Sequence, residues 1–196
     1  MIPIVLASKS AVRARVLSNA GAPFEVIDVQ FDEAAAKATL RGHAAREVAE
    51  ALAQDKALAG AAQRPGALVI GADQTLELGG RMFDKAASLA ESRQRLIALR
   101  GRSHQLHAAI AVARDGHIVW RDVATATLTM RDFTDAYLEA YLERNQRAAL
   151  ASVGAYELEG EGAQLFTTIQ GDFFAILGVP LLGLLAFLRD AGALPR

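Results

Sequence analysis

The chain has 196 residues, 52% of them hydrophobic and 22% charged, with a formal net charge of -1 at pH 7. That balance belongs to a globular protein able to bury a sizeable core, and the near-zero charge excludes a broad basic field for nucleic acid or an anionic membrane surface. No cysteine is present, which removes disulfides, thiolate zinc sites and cysteine nucleophiles together and fits a reducing compartment.

Residues 2–7 form an apolar stretch that reads as a short buried strand. No basic segment precedes it, so it does not read as a signal peptide, and the expected location is the cytoplasm. Ser8 to Ser10 then offer hydroxyl caps to a helix predicted to end near Gly21. Residues 24–31 read as a second strand, followed by Asp32-Glu33. Residues 41–62 are alanine-rich at helical spacing, and Arg64-Pro65-Gly66 breaks that pattern. Residues 67–72 are a continuous apolar run between turn residues, the pattern of a central strand.

Residues 75–78 and 81–83 flank Gly79-Gly80, a two-glycine hairpin signal. A helix is predicted over 88–99, closed by Gly101. Residues 103–113 and 117–130 form a long hairpin around Asp115-Gly116, and 133–144 read as another helix. The stretch 154–171 is glycine-rich and irregular, 173–177 is a strand candidate, and 181–190 is a closing helix after Pro180. The apolar run at 181–188 is far short of the roughly 20 residues a membrane span needs. Strands mixed with helices and hairpins predict an α/β protein with a mixed twisted sheet and flanking helices, and 1–196 reads as a single domain without repeat, linker or low-complexity tail.

Ser8-Lys9-Ser10 and Arg13 are the first candidates for chemistry. A strand that delivers hydroxyls to a helix N-terminus makes an anion site, because free amides and the helix dipole both favour negative charge. Arg13 can add a bidentate grip on phosphate, while the plainer account is capping beside a solvated arginine. Lys56 falls in the middle of the apolar face formed by Ala45, Val48, Ala49, Leu52 and Ala59. An ammonium there snorkels out, pairs with a carboxylate or meets an anionic ligand.

Asp73 follows the apolar run, where ligands collect at the carboxyl ends of strands in open α/β sheets. It is a candidate metal ligand or general base, and a loop aspartate is the alternative. Asp32-Glu33 offers a second carboxylate, since magnesium is held by one or two carboxylates with phosphates and waters. By themselves that acidic pair and Lys85 are ambiguous. His43, His104, His107 and His117 lack metal-binding spacing, and His104 and His107 read as structural. Neither a G-x-S-x-G element nor a phosphate-binding G-x-x-x-x-G-K-[ST] loop occurs, so serine hydrolase and P-loop readings fall away.

In order along the chain, these pieces resemble the Maf family of nucleotide pyrophosphatases. Leu6-Ala7-Ser8-Lys9-Ser10 with Arg13 and Leu17 resembles its opening L-A-S-x-S-P-R-R-x-x-L-L. Asp32-Glu33 resembles its D-E pair, Lys56-Ala57 its K-A, Val69 to Asp73 its V-I-G-A-D, and Asp84-Lys85 its G-K-P. Gly101-Arg102-Ser103-His104 resembles G-R-x-H. Gly154-Ala155-Tyr156 through Gly160, Gly171-Asp172 and Leu177 to Leu181 resemble the C-terminal G-A-Y-x-x-[QE]-G, G-D and G-L-P-L.

The resemblance implies two lobes around a central cleft, a homodimer, and a divalent cation, Mg2+ or Mn2+. It implies that Asp73 is the proton acceptor and that Ser8, Arg13, Glu33, Lys56 and Lys85 line the phosphate and metal site; Ser10 belongs to the same opening motif. Ala11-Val12 stands where the family has P-R, and Ala86 replaces the proline after Lys85. Gln74 and Glu159 stand where the dTTP- and UTP-cleaving branch has threonine and glutamine, and resemble instead the branch that cleaves 7-methyl-GTP. That branch's tryptophan near the start is here Val12. The expected activity is hydrolysis of a nucleoside triphosphate to the monophosphate and pyrophosphate, with Asp73 and Glu33 holding the metal. The alternatives are a non-catalytic nucleotide sensor acting in cell division or septum formation, and a phosphatase that releases single phosphates.

Overall fold

Residues 2–196 are described by a computed structural model. Its strands are β1 (Ile4–Ala7), β2 (Glu25–Val26), β3 (Leu68–Leu78), β4 (Arg81–Phe83), β5 (Ser103–Arg114), β6 (His117–Met130) and β7 (Phe166–Gln170). They form one seven-stranded mixed sheet in the order β2-β1-β3-β5-β6-β7, with β4 paired to β3 off that path. The helices are α1 (Ala11–Asn19), α2 (Glu33–Thr39), α3 (Ala45–Ala61), α4 (Leu89–Leu99), α5 (Asp135–Arg144), α6 (Gln146–Ala151), α7 (Phe173–Ile176) and α8 (Leu181–Asp190), with a 3-10 turn at Glu161–Leu165. None of the described helices is long and apolar enough to cross a membrane.

The apolar run of β3 has a structural cause and a consequence. β1 lies parallel to its first half, from Ile4 opposite Leu68 to Ala7 opposite Gly71. β4 lies antiparallel to its last residues, from Leu76 opposite Phe83 to Leu78 opposite Arg81. Between those two partners the same edge of β3, from Ala72 to Thr75, carries no strand among the described residues. On the other edge β5 pairs without interruption from Val69 opposite Ala113 to Glu77 opposite Gln105. The gap therefore lies beyond the carboxyl end of the parallel strand β1, a place where open α/β sheets gather ligands.

Apolar packing divides at the same place. One cluster gathers Leu76, Leu78, Leu96, Leu106, Leu128, Tyr141 and Tyr156. A second joins Leu6, Ile70, Ala72, Ile110, Val179 and Leu184, and a third joins Val5, Ala53, Ala57, Val69, Ala109 and Ala111. The two lobes implied by the resemblance thus meet at residues 73–75 of β3. The alanines of α3 let it lie close on the sheet: a Cβ added to Gly71 would fall 2.2 Å from the Ala53 carbonyl oxygen and 2.4 Å from the Ala57 nitrogen.

Several expected elements differ. The central strand runs on through Asp73 to Leu78 rather than stopping at 72, because β5 pairs with it throughout. The strand expected at 24–31 keeps only Glu25–Val26. The helix expected from 41 begins at Ala45, and a separate α2 precedes it. The segment 173–177 is a helical turn and not a strand, with Asp172 Oδ1 accepting from the Phe174 amide at 2.7 Å. The irregular stretch 154–171 includes β7.

Candidate active site

The gap in the sheet is filled by charge. Asp73, 7% exposed, points to the α3 side of β3, where its Oδ1 accepts from Lys56 Nζ at 2.6 Å. The same ammonium donates to Glu33 Oε2 at 2.7 Å. Lys56 lies on the apolar face of α3 among alanines and leucine, and the carboxylates satisfy it: a largely buried ammonium needs that pairing. The Lys56 ammonium also lies 5.9 Å from the centre of the Phe31 ring.

Arg13 reaches the gap from α1. Its Nη1 donates to the Ala72 carbonyl at 2.9 Å and to Ser8 Oγ at 3.2 Å, and its Nε donates to the Gly178 carbonyl at 3.1 Å. The guanidinium thus takes over a β3 carbonyl that no strand pairs on that edge, and ties β1, β3 and the segment after α7 together. Burial pushes its pKa down, against the opposing pull of Asp73 and Glu33. Ser10 caps α1, accepting from the Arg13 amide at 3.4 Å, while Ser8 Oγ accepts from the Ser10 amide at 3.3 Å. Ser8 is therefore in the gap and Ser10 is engaged as a cap.

Lys85 follows β4 and completes the cationic rim. Its pKa is lowered, first by partial burial and then by Arg13, with Glu33 and Asp73 working in the opposite sense. Glu33 is held low, to about 2: partial burial alone would raise it, but hydrogen bonds and charge from Lys56 and Lys37 prevail. Four cations, Arg13, Lys37, Lys56 and Lys85, face three carboxylates, Glu33, Asp73 and Asp84, which leaves a positive excess.

The specificity candidates stand apart from this cluster. Gln74 turns to the opposite face of β3, where its Nε2 donates to the Ala175 and Ile176 carbonyls, both at 3.0 Å. Two carbonyl partners fix the orientation of the amide and leave its Oε1 as an acceptor. Glu159 pairs with Arg15 Nη2. Val12 is half-buried on α1.

One residue of the network, Lys37, escaped sequence reasoning, and Asp84 entered only as part of a motif. Lys37 Nζ lies 2.9 Å from Glu33 Oε1 and 2.7 Å from Asp84 Oδ1. The spacing of Glu33 and Lys37, one helical turn, was a usable signal once α2 was recognised. Among the described residues no group of three or more His, Cys, Asp or Glu is arranged to hold a metal ion.

Known proteins resemble this chain along nearly its whole length. The chain matches a family model described as Maf-like protein over residues 3–191. It is 55% identical over 99% of its length to a "Nucleoside triphosphate pyrophosphatase" of Caulobacter vibrioides, covering 98% of that protein. A protein of the same description from Nitrobacter winogradskyi is 49% identical, over 96% of this chain and 93% of its own. A "7-methyl-GTP pyrophosphatase" of Mesorhizobium japonicum is 47% identical, over 97% of each chain.

Proposed function

The chain belongs to the Maf-like protein family, and from that premise we propose that it hydrolyses a nucleoside triphosphate to the monophosphate and pyrophosphate, with Asp73 as the proton acceptor. The observation that carries this reading is Lys56, held between Glu33 and Asp73 beside Arg13 in the unpaired stretch of β3. Asp73 uses Oδ1 for Lys56, and its other oxygen is available to orient and deprotonate a water aimed at the α-phosphorus. The water oxygen bonds to that phosphorus, the bond to the bridging oxygen breaks, and pyrophosphate leaves. Lys56, Lys85 and Arg13 then face the charge that gathers on the leaving group. Phosphoryl transfer depends mainly on such positioning and charge stabilisation.

A divalent cation, Mg2+ or Mn2+, fits the donor set. Glu33 and Asp73 would supply the oxygen ligands, exchanging their lysine partners for the metal, since magnesium takes one or two carboxylates together with substrate phosphates and water. When bound, it would neutralise phosphate charge as a Lewis acid. The protein's own part is to hold Glu33 ionised, and its pKa of about 2 meets that need at neutral pH.

For the base, a 7-methylguanine nucleotide is the favoured substrate. The Gln74 amide, with its nitrogen engaged by two carbonyls, offers an oxygen acceptor, and the Glu159 carboxylate is a second. Acceptors suit the N–H donors of a guanine edge, and the relative described as a 7-methyl-GTP pyrophosphatase is 47% identical to this chain. A single domain over 1–196, residence in the cytoplasm and a homodimer complete the reading, and light scattering on the purified protein tests the last.

The decisive experiment is phosphate release with added inorganic pyrophosphatase over 7-methyl-GTP, GTP, dTTP and UTP. Signal only with the helper enzyme identifies pyrophosphate as product; signal without it would mean a phosphatase. Asp73→Asn should lower turnover by about 10³-fold, roughly 4 kcal/mol of barrier, with an unchanged circular dichroism spectrum. Near-normal release by that variant would overturn the role of Asp73. Nucleotide binding without turnover by the wild type would favour a sensor.

A further inference from the structure

The seven-residue α2 has no buried residue, although it carries Glu33 into the cleft. A helix so short does not persist through its own hydrogen bonds, and packing of an apolar face normally holds it. Charge takes that part here. Asp84, Lys37, Glu33, Lys56 and Asp73 alternate in sign in one unbroken chain, with successive contacts of 2.7, 2.9, 2.7 and 2.6 Å. The chain runs from the turn after β4, across α2, to α3 and the middle of β3. Each Glu33 oxygen has its own lysine, Oε1 with Lys37 and Oε2 with Lys56.

We propose that Lys37, seated on Asp84, is a positioning residue that latches α2 over the cleft and fixes the Glu33 carboxylate against Lys56. The inference rests on the reading of Glu33, Lys56 and Asp73 as the hydrolytic centre. Without Lys37, Glu33 retains a single partner and its carboxylate is free to rotate. Without Asp84, Lys37 loses the contact that joins α2 to the turn bearing Lys85. The latch therefore couples placement of a carboxylate to placement of Lys85, the residue next to Asp84. The bonds to Asp84 and Glu33 outweigh partial burial and hold the Lys37 pKa above its ordinary value, so the latch stays charged throughout the neutral range.

The test compares Lys37→Met, Lys37→Arg, Asp84→Asn and the Lys37→Met/Asp84→Asn double variant with the wild type, using the nucleotide that the wild type cleaves best among the four named above. Lys37→Met should lose about tenfold to 10²-fold in kcat/KM, chiefly in kcat, as expected when a reacting group is misplaced by a fraction of an ångström to an ångström. The double variant should lose little beyond Lys37→Met alone, because the two side chains act as one unit. Lys37→Arg should recover most of the activity.

Amide exchange adds a readout that a general loss of stability would not mimic. Residues 33–39 should exchange faster in Lys37→Met and Asp84→Asn, while β3 protection and the Tm hold. Wild-type kcat/KM or wild-type exchange in Lys37→Met would overturn the latch, and so would a loss accompanied by equal deprotection of β3. An active Lys37→Met beside an inactive Asp73→Asn rejects the latch alone. Activity in both rejects the hydrolytic centre.

Discussion

His104 shows how much one side chain contributes to the pH response of this protein. It is 1% exposed on β5, its Nε2 lies 2.7 Å from Tyr156 Oη, and its ring packs beside Tyr156 and Phe166. Burial pulls its pKa from 6.5 down to about 4. The folded state therefore favours the neutral ring. The associated stability is fully present above pH 6.5 and is lost as pH falls toward 4, because the unfolded chain binds the proton first. Between pH 7 and pH 5 the wild type is expected to lose roughly 2 kcal/mol through this group. His104→Gln should flatten that dependence, as measured by urea unfolding at the two pH values; parallel curves would remove His104 as the cause. Glu33 does not confuse the window: its depressed pKa keeps its contribution intact until pH falls below 4.5 toward 2.

At the scale of elements, the seating of α3 on β3 decides where Lys56 points. Gly71 allows the contact, since a Cβ there would lie within 2.9 Å of Ala53 and Ala57 backbone atoms. Gly71→Ala forces the helix off the strand at a cost of roughly 3 kcal/mol, typical of overpacking. For a chain of this size that is about 6–12 °C in Tm. Thermal unfolding checks it, and a fall of under 2 °C would mean that the contact is not tight. The sequence made part of this arrangement readable. The β1 run, the alanine face of α3, the long β5–β6 hairpin and α8 declare themselves through periodicity, and Lys56 through being a cation on an apolar face. Other elements left no such mark. α2 buries nothing, so it has no apolar stripe to read; its alanines and the Asp32 Oδ1 cap on the Ala35 amide make it helical. Phe173–Ile176 is apolar and too short for periodicity to tell helix from strand. β7 is exposed and threonine-rich, and it extends along β6 only through pairing at Thr127 to Met130. The site followed the same division: single residues with unusual placement were legible, while ion pairs spanning distant segments, Lys37 with Asp84 and Arg15 with Glu159, were not.

For the whole molecule, the contrast between global and local charge has a kinetic consequence. The chain carries a net charge of -1, so nothing at long range draws in a polyanion. The positive excess is confined to the cleft, where Arg13, Lys56 and Lys85 converge at the gap beyond β1. Attraction of a triphosphate is therefore a short-range effect. It should survive moderate salt and weaken as the screening length falls from about 10 Å at 0.1 M to about 3 Å at 1 M. The expected result is a KM that rises several-fold across that range while kcat changes little, since groups already in contact are screened less than separated ones. Lys85→Met should raise KM by roughly tenfold at low salt and reduce its salt dependence, because Lys85 is the more exposed cation of the rim. Initial rates at 0.05, 0.1, 0.5 and 1 M salt, with constant free divalent cation, check both statements. An unchanged salt slope in Lys85→Met would mean that this lysine does not meet the phosphates.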